Sequence, residues 1–267
     1  MGTLKFLGEL VMLIVFLTAV GVGGATVVGA LIGFLFRGLS HKFANLIVSF
    51  AAGIMLSAAV LGLILPSIEY GGAFGVLVAV LGILVGAVCI NLSDKLVPHI
   101  QRLVAPKEEE NECWHARERC GAMRGVLLFV IAIGIHNLPE GIAAGVGFGS
   151  GDIENAILIA SGIALHNIPE GMVIISPMLA AGISPKRTFL MALLTGLAEV
   201  VGTLIGYFAV SLASAILPFA LAFAGGAMLY VISEEMIPES HAMGEECRVT
   251  YAFLCGFCAM LVLNAVM

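Results

Sequence analysis

Apolar residues run along this chain in long, nearly unbroken stretches, with short polar segments between them and no strict two-residue alternation. Eight stretches reach the roughly 20 residues that a helix needs to cross a bilayer: 6–36, 43–68, 73–97, 124–149, 153–181, 187–210, 213–238 and 248–266. Inside lipid only helices and closed barrels satisfy every backbone polar group, and runs this long suit helices. The pattern predicts an all-α, polytopic membrane protein of eight transmembrane helices, with residues 1–267 forming one membrane domain. The one long polar insertion, about 98–123, carries Glu108, Glu109, Glu110, Glu112 and Glu118 among Lys107, Arg117 and Arg119. It reads as a solvated loop. The first apolar run is too long for the apolar part of a cleaved signal and reads as the first span.

Composition agrees. The chain is 60% hydrophobic and 11% charged, against about 25% charged in an ordinary soluble domain. A soluble globule is excluded, and no nucleic-acid partner is expected; the lipid bilayer is the surrounding medium. The 33 glycines suit close helix packing in lipid, and Gly29/Gly33, Gly82/Gly86, Gly141/Gly145 and Gly202/Gly206 have GxxxG spacing. Cys255 and Cys258 form a CxxC, but within an apolar span rather than a thioredoxin-like unit, so no redox role is expected.

The net charge of −6 says little, whereas the placement of basic residues says much. With eight spans, Arg37, Lys42, Lys95, Arg102, Lys107, Arg117, Arg119, Arg124, Lys186, Arg187 and Arg248 share one side, leaving only Lys5 opposite. The positive-inside rule makes that side cytoplasmic. Both termini then lie outside the cytoplasm, and the cell (inner) membrane is the expected location.

Candidate chemistry comes from a repeated six-residue pattern. His136-Asn137-Leu138-Pro139-Glu140-Gly141 in span 4 returns as His166-Asn167-Ile168-Pro169-Glu170-Gly171 in span 5. A His and a Glu four residues apart share one helix face. Ionisable groups in lipid are costly and mark function by default. Counted along their spans, His136 and His166 lie about 12 and 13 residues in, or roughly 18–20 Å, near the bilayer midplane. They reach it from opposite directions, as in inverted-repeat transporters. Glu199, alone in charge over Thr188–Leu217, and Met55 fall at a similar depth in spans 6 and 2. Imidazole and carboxylate suit zinc and also iron, manganese and cadmium-like ions, and a thioether adds a soft donor. Metal binding at three carboxylates is expected to displace protons. Pro139 and Pro169 remove the helical partners of the Ile135 and Leu165 carbonyls and predict local kinks.

Other groups are open to two readings. Glu234 and Glu235, with Glu239 and His241 beyond, form either an exit station for a cation or an ordinary interfacial cluster. Cys113, His115 and Cys120 match no structural zinc spacing, and a plain solvated loop is favoured.

The paired HNLPEG and HNIPEG motifs, the eight-span layout, the loop after span 3, Glu199 and the Ser233–His241 stretch SEEMIPESH together resemble the ZIP (Zrt/Irt-like) family of divalent metal transporters. The prokaryotic GufA-type branch is most similar. The resemblance covers essentially the whole chain. It implies import of zinc and related ions into the cytoplasm by an elevator-type carrier, with spans 1–3 and 6–8 related by pseudo-symmetry around spans 4 and 5 (a 3+2+3 bundle). It also implies a two-metal site of His136, Asn137, Glu140, His166, Asn167, Glu170 and Glu199, with Met55 as an extra ligand and exit residues near Glu234 and Glu235. The family's cytoplasmic loop is often rich in histidine; here it holds His115 and many glutamates.

A secondary metal transporter is therefore the leading expectation, with Zn2+, Fe2+, Mn2+ or Cd2+ as transported substrate and no required cofactor. No P-loop or P-type ATPase signature points to hydrolysis-driven pumping. The alternatives are a proton-coupled carrier of another solute, with the His–Glu pairs as relays, and an intramembrane metalloenzyme. The enzyme is disfavoured because its usual HExxH order is absent. The oligomeric state stays open, with a homodimer among the options.

Overall fold

The computed structural model describes residues 2–35, 41–104, 133–180, 182–242 and 246–266. Helix α1 spans Gly2–Leu35. α2 begins as His41–Ser57, passes through π-helical turns at Ala58–Ile64 and resumes over Leu65–Tyr70. A 3₁₀ turn at Gly72–Phe74 leads into α3, Gly75–Val104. α4 covers 133–149, α5 Ile153–Ala180 and α6 Pro185–Leu212. α7 runs from Leu217–Val231 through π-helical turns at Ile232–Met236 into Ile237–His241, and α8 is Glu246–Val266. Among the described residues, 7 helices are long and apolar enough to cross a membrane. The chain is an all-helical polytopic membrane protein.

The largest departure from the expected span limits is at the end of α3. α3 continues to Val104, past residue 97 where the polar loop was expected to begin. Helical hydrogen bonding does not stop where hydropathy does, and Leu, Gln and Arg all sustain it in water. The predicted span 124–149 is described only from 133 onward. Arg124, Cys113, His115, Cys120 and the acidic run from Glu108 lie outside the described residues.

Local signals explain how α4, α5 and α6 follow one another. α5 is capped by Asp152, whose Oδ1 accepts the Asn155 backbone N–H at 3.1 Å, and Glu154 sits in its positive first turn. The short turn before it needs Gly151 at φ +83°, a conformation that side chains disfavour. α6 opens with Pro185 at the first helical position, where its missing N–H costs nothing.

Packing relies on glycine at helix crossings. A side chain at Gly23 would strike the Gly196 carbonyl, so α1 and α6 touch backbone to backbone. The same holds for Gly29 against Ile168 and Gly171 against Thr26 (α1 with α5), and for Gly141 against Glu199 and Gly202 against Leu138 (α4 with α6). Gly86 meets Phe223 and Gly226 meets Ile83 between α3 and α7; Gly53 meets Phe253 and Gly256 meets Phe50 between α2 and α8. Each of the four GxxxG pairs lies at such a crossing. Without a hydrophobic drive between helices in lipid, close backbone approach is what holds them together.

α4 and α5 continue as helices through Pro139 and Pro169, neither of which has an N–H to offer the Ile135 and Leu165 carbonyls. Departure from α geometry occurs instead in α2 and α7, just before Pro66 and Pro238, where the Leu65 and Ile237 N–H groups reach back five residues to Val60 and Ile232. Widened turns of this kind accommodate a residue that cannot continue the hydrogen-bond ladder. The Gly62 carbonyl, whose regular partner would be Pro66, is approached by Asn155 Nδ2 from α5 at 3.4 Å.

Candidate metal centre

α4 and α5 are antiparallel neighbours joined by a tight turn, so their two His–Glu faces can be turned toward each other. His136, Glu140 and His166 are buried, and Glu170 is half-buried. His166 Nε2 lies 3.2 Å from Glu140 Oε1 and 3.7 Å from Glu170 Oε2. One donor atom from each of Glu140, His166 and Glu170 lies within 4.8 Å of the others. Bonds of about 2.0–2.2 Å to zinc place neighbouring donors roughly 3–4 Å apart, so small side-chain rotations close this triad on an ion.

His136 faces a different partner. Its Nε2 lies 3.1 Å from Glu235 Oε1, on the π-helical turns of α7. A cavity of about 80 Å³ joins these groups. His136, Glu140, His166 and Glu170 line its inner part, Glu235 and Glu239 line it along α7, and Val48, Ala51, Ile133, Val173 and Val231 supply apolar wall. No lysine or arginine is among the lining residues. Several carboxylates and two imidazoles in a low-dielectric wall without a lysine or arginine make a site for a cation.

Behind the cavity lies a second polar layer. Glu199 of α6 is 0% exposed. Its Oε1 accepts the Thr26 hydroxyl and Asn137 Nδ2, each at 2.6 Å, and its Oε2 accepts Asn167 Nδ2. Asn167 Nδ2 also reaches the Val22 carbonyl at 3.2 Å. The amide oxygens of Asn137 and Asn167, together with Glu140 Oε2, Glu170 Oε2 and His166 Nδ1, are buried without a hydrogen-bond partner among the described residues. Buried polar atoms are normally paired, so five orphans in one cluster ask for a ligand.

The residues singled out from the sequence thus divide. Glu140, His166 and Glu170 come together, with His136 beside them. Asn137, Asn167 and Glu199 form the layer behind. Met55 is buried in the apolar core with Val22, Ala51 and Ala143, and does not line the cavity. Of the outer acids, Glu235 and Glu239 line the cavity, Glu234 is exposed away from it, and His241 Nδ1 turns to the Ile237 carbonyl at 2.9 Å. Thr26 was missed, because a lone threonine in an apolar helix carries no charge or motif. So were the π-helical turns that carry Glu235 toward His136, although the Pro238 that follows them was visible.

Comparison with known proteins adds an independent line. The family described as ZIP Zinc transporter matches residues 102–264. The chain is 39% identical over 248 residues to the zinc transporter GufA of Myxococcus xanthus, covering 91% of this chain and 94% of that one. It is 30% identical over 319 residues to the human zinc transporter ZIP11, covering 90% of this chain and 93% of that one. It is 33% identical over 256 residues to the zinc transporter ZIPB of Bordetella bronchiseptica, with 90% and 77% covered.

Proposed function

We propose, from the premise that this chain belongs to the ZIP zinc transporter family, that it carries zinc and related divalent ions across a membrane into the cytoplasm. The observation that carries this reading is the largely buried Glu140–His166–Glu170 triad. It offers two carboxylates and an imidazole, a borderline-hard donor set suited to Zn2+ and tolerant of Fe2+, Mn2+ and Cd2+. His136 stands at the same cavity, and the free oxygens of Asn137 and Asn167 adjoin it in sequence and offer donors for a second ion. Met55 is left out of this donor set because it packs in the core.

The route inward follows α7. The cavity extends from the triad past Glu235 to Glu239, toward the helix end that precedes Arg248. By the positive-inside rule that end is cytoplasmic, with both termini on the opposite side. Carboxylates spaced along the wall let a divalent ion exchange one set of partners for another without entering bare hydrocarbon.

Movement follows from how the helices are joined. The backbone-level glycine contacts tie α1, α4, α5 and α6 into one group, and tie α2 to α8 and α3 to α7. Between these units the close glycine contacts are to side chains: Gly62 and Gly162 meet Ile159 and Met260 at the edge of the first group, and Gly225 of α7 meets Ile64 of α2. Side chains slide and repack; interlocked backbones do not. This supports an elevator in which the first group carries the ion against the second.

The same contacts support a 3+2+3 pseudo-symmetric bundle of eight spans. Thr26 and Glu199 stand 173 residues apart, and Gly23/Gly196, Gly29/Gly202 and Gly33/Gly206 keep that separation while making matched contacts. Gly29 faces Ile168 as Gly202 faces Leu138, one step after each motif's asparagine.

Metal-specific uptake into proteoliposomes, with a panel of divalent ions and an imposed pH gradient, tests the reading. Zinc accumulation above empty liposomes is expected. A folded protein that moves none of the ions sinks it.

A further inference from the structure

Glu199 is buried completely, yet it does not line the cavity. Its carboxylate is occupied by three neutral donors from three other helices: the Thr26 hydroxyl of α1, Asn137 Nδ2 of α4 and Asn167 Nδ2 of α5. Two consequences follow from the geometry. Each asparagine has its amide nitrogen turned to Glu199, so its oxygen points away, and both oxygens are left buried without a partner. Both amides are oriented by this one shared carboxylate, with the Val22 carbonyl as a further acceptor for Asn167 at 3.2 Å and the Thr195 carbonyl for Asn137 at 3.5 Å.

Thr26 holds it. The hydroxyl reaches Glu199 Oε1 at 2.6 Å, at the short end of the O–H···O range. The threonine cannot drift, because it is 0% exposed and its own carbonyl lies against Gly171, one residue after Glu170. α1 thus contributes no atom to the cavity wall, yet sets the layer on which Asn137 and Asn167 rest. A second acid at position 26 would oppose Glu199; a hydroxyl donates to it instead.

We propose that Thr26 is a positioning residue for the transported ion. Its hydroxyl fixes Glu199, which orients Asn137 and Asn167 so that their Oδ1 atoms are presented as hard donors. This rests on the metal-transport reading of the site.

The test is equilibrium metal binding to the purified full chain, by competition with a fluorescent chelator, for Zn2+ and Mn2+ separately. Thr26→Val keeps the shape and removes the donor. Because a buried side-chain hydrogen bond is lost, it is expected to weaken zinc binding by about tenfold. Manganese, which depends more on oxygen donors, should weaken further, so the Zn:Mn preference rises. Thr26→Ser, which retains the hydroxyl, should restore both affinities. A merely structural role predicts the reverse order, with Val tolerated and Ser, which loses a buried methyl, impaired. Binding of both metals unchanged in Thr26→Val, or equal loss in Ser and Val, overturns the proposal. Should Thr26→Val fail to accumulate, Thr26→Cys, a weaker donor of similar size, is expected several-fold weaker for zinc, and unchanged binding there overturns it too. Uptake by the unaltered protein is measured in parallel. Binding without uptake rejects the transport reading alone, and the Thr26 comparison still decides the inference; absence of both binding and uptake rejects both.

Discussion

His136 of α4 and Glu235 of α7 meet at 3.1 Å, Nε2 to Oε1, across the cavity that also holds the Glu140–His166–Glu170 triad. α4 belongs to the helix group locked together by glycine contacts with α6, whereas α7 is locked to α3. The pair is thus a polar contact between the two groups, next to the carboxylates that would carry the ion. On the proposed route, a cation leaving the triad would reach Glu235 by displacing His136 from it.

Replacing Glu235 should separate binding from release. Glu235→Gln keeps the side-chain size and removes the carboxylate from the proposed inward path. Zinc uptake is expected to fall about tenfold, equivalent to roughly 1.4 kcal/mol on the slow step. Equilibrium zinc affinity should change less than threefold. Equal loss in both measurements would place Glu235 in the primary binding set instead.

Removing a member of the triad should be more severe. Glu140→Ala or His166→Ala deletes a donor and also lessens the burial of polar groups. Zinc affinity should therefore drop by about 100-fold or more, past the range seen for loss of a supporting residue, and uptake should vanish. Membrane insertion, followed by the protein recovered in the membrane fraction, should be retained. Zinc flux unchanged in either variant would remove the triad from the transport path. Cys255→Ala, at an exposed position on α8, serves as the silent control.

Glycine substitutions test the packing. At Gly23 a methyl group would collide with the Gly196 backbone, which cannot rotate away, so Gly23→Ala is expected to cost about 1–3 kcal/mol. At Gly21 nothing lies within 4 Å, and Gly21→Ala should be neutral or stabilising by about 0.5–1 kcal/mol. Thermal unfolding in detergent distinguishes the two. Similar midpoints for both variants would mean that α1 and α6 do not lie in backbone contact.

Asn155 should matter for stability on the side away from Glu239. Asn155→Leu removes the Nδ2 donor that approaches the Gly62 carbonyl, whose regular helical partner would be Pro66. A net loss of about 1 kcal/mol is expected, read as a lower unfolding midpoint with zinc affinity unchanged. An unaltered midpoint would show that the 3.4 Å contact contributes nothing.

Part of the internal repetition is legible in the sequence itself. Phe50-Ala51-Ala52-Gly53-Ile54-Met55-Leu56 in α2 matches Phe223-Ala224-Gly225-Gly226-Ala227-Met228-Leu229 in α7, each just before a π-helical stretch and a proline. Those glycines occupy matched crossings, Gly53 on α8 and Gly226 on α3. Read as a repeat, Met55 has an apolar twin in Met228, and the pair share the core cluster. That reading favours packing over metal ligation for Met55, and depth along a span did not distinguish the two. Depth orders residues along one axis only. The direction in which a side chain points depends on helix rotation, which neighbouring helices set.

The amino-acid sequence by itself determined the membrane character, most of the helix limits and the paired His–Glu faces, because hydropathy and four-residue spacing are properties of a single helix. Only the tertiary structure decided which of those polar groups share a cavity. Glu140, His166 and Glu170 converge, Glu199 turns back to Thr26 and the asparagines, and Glu235 swings toward His136 on widened turns. Each of these depends on rotations and approaches between helices far apart in sequence, which glycine contacts establish and local pattern does not encode.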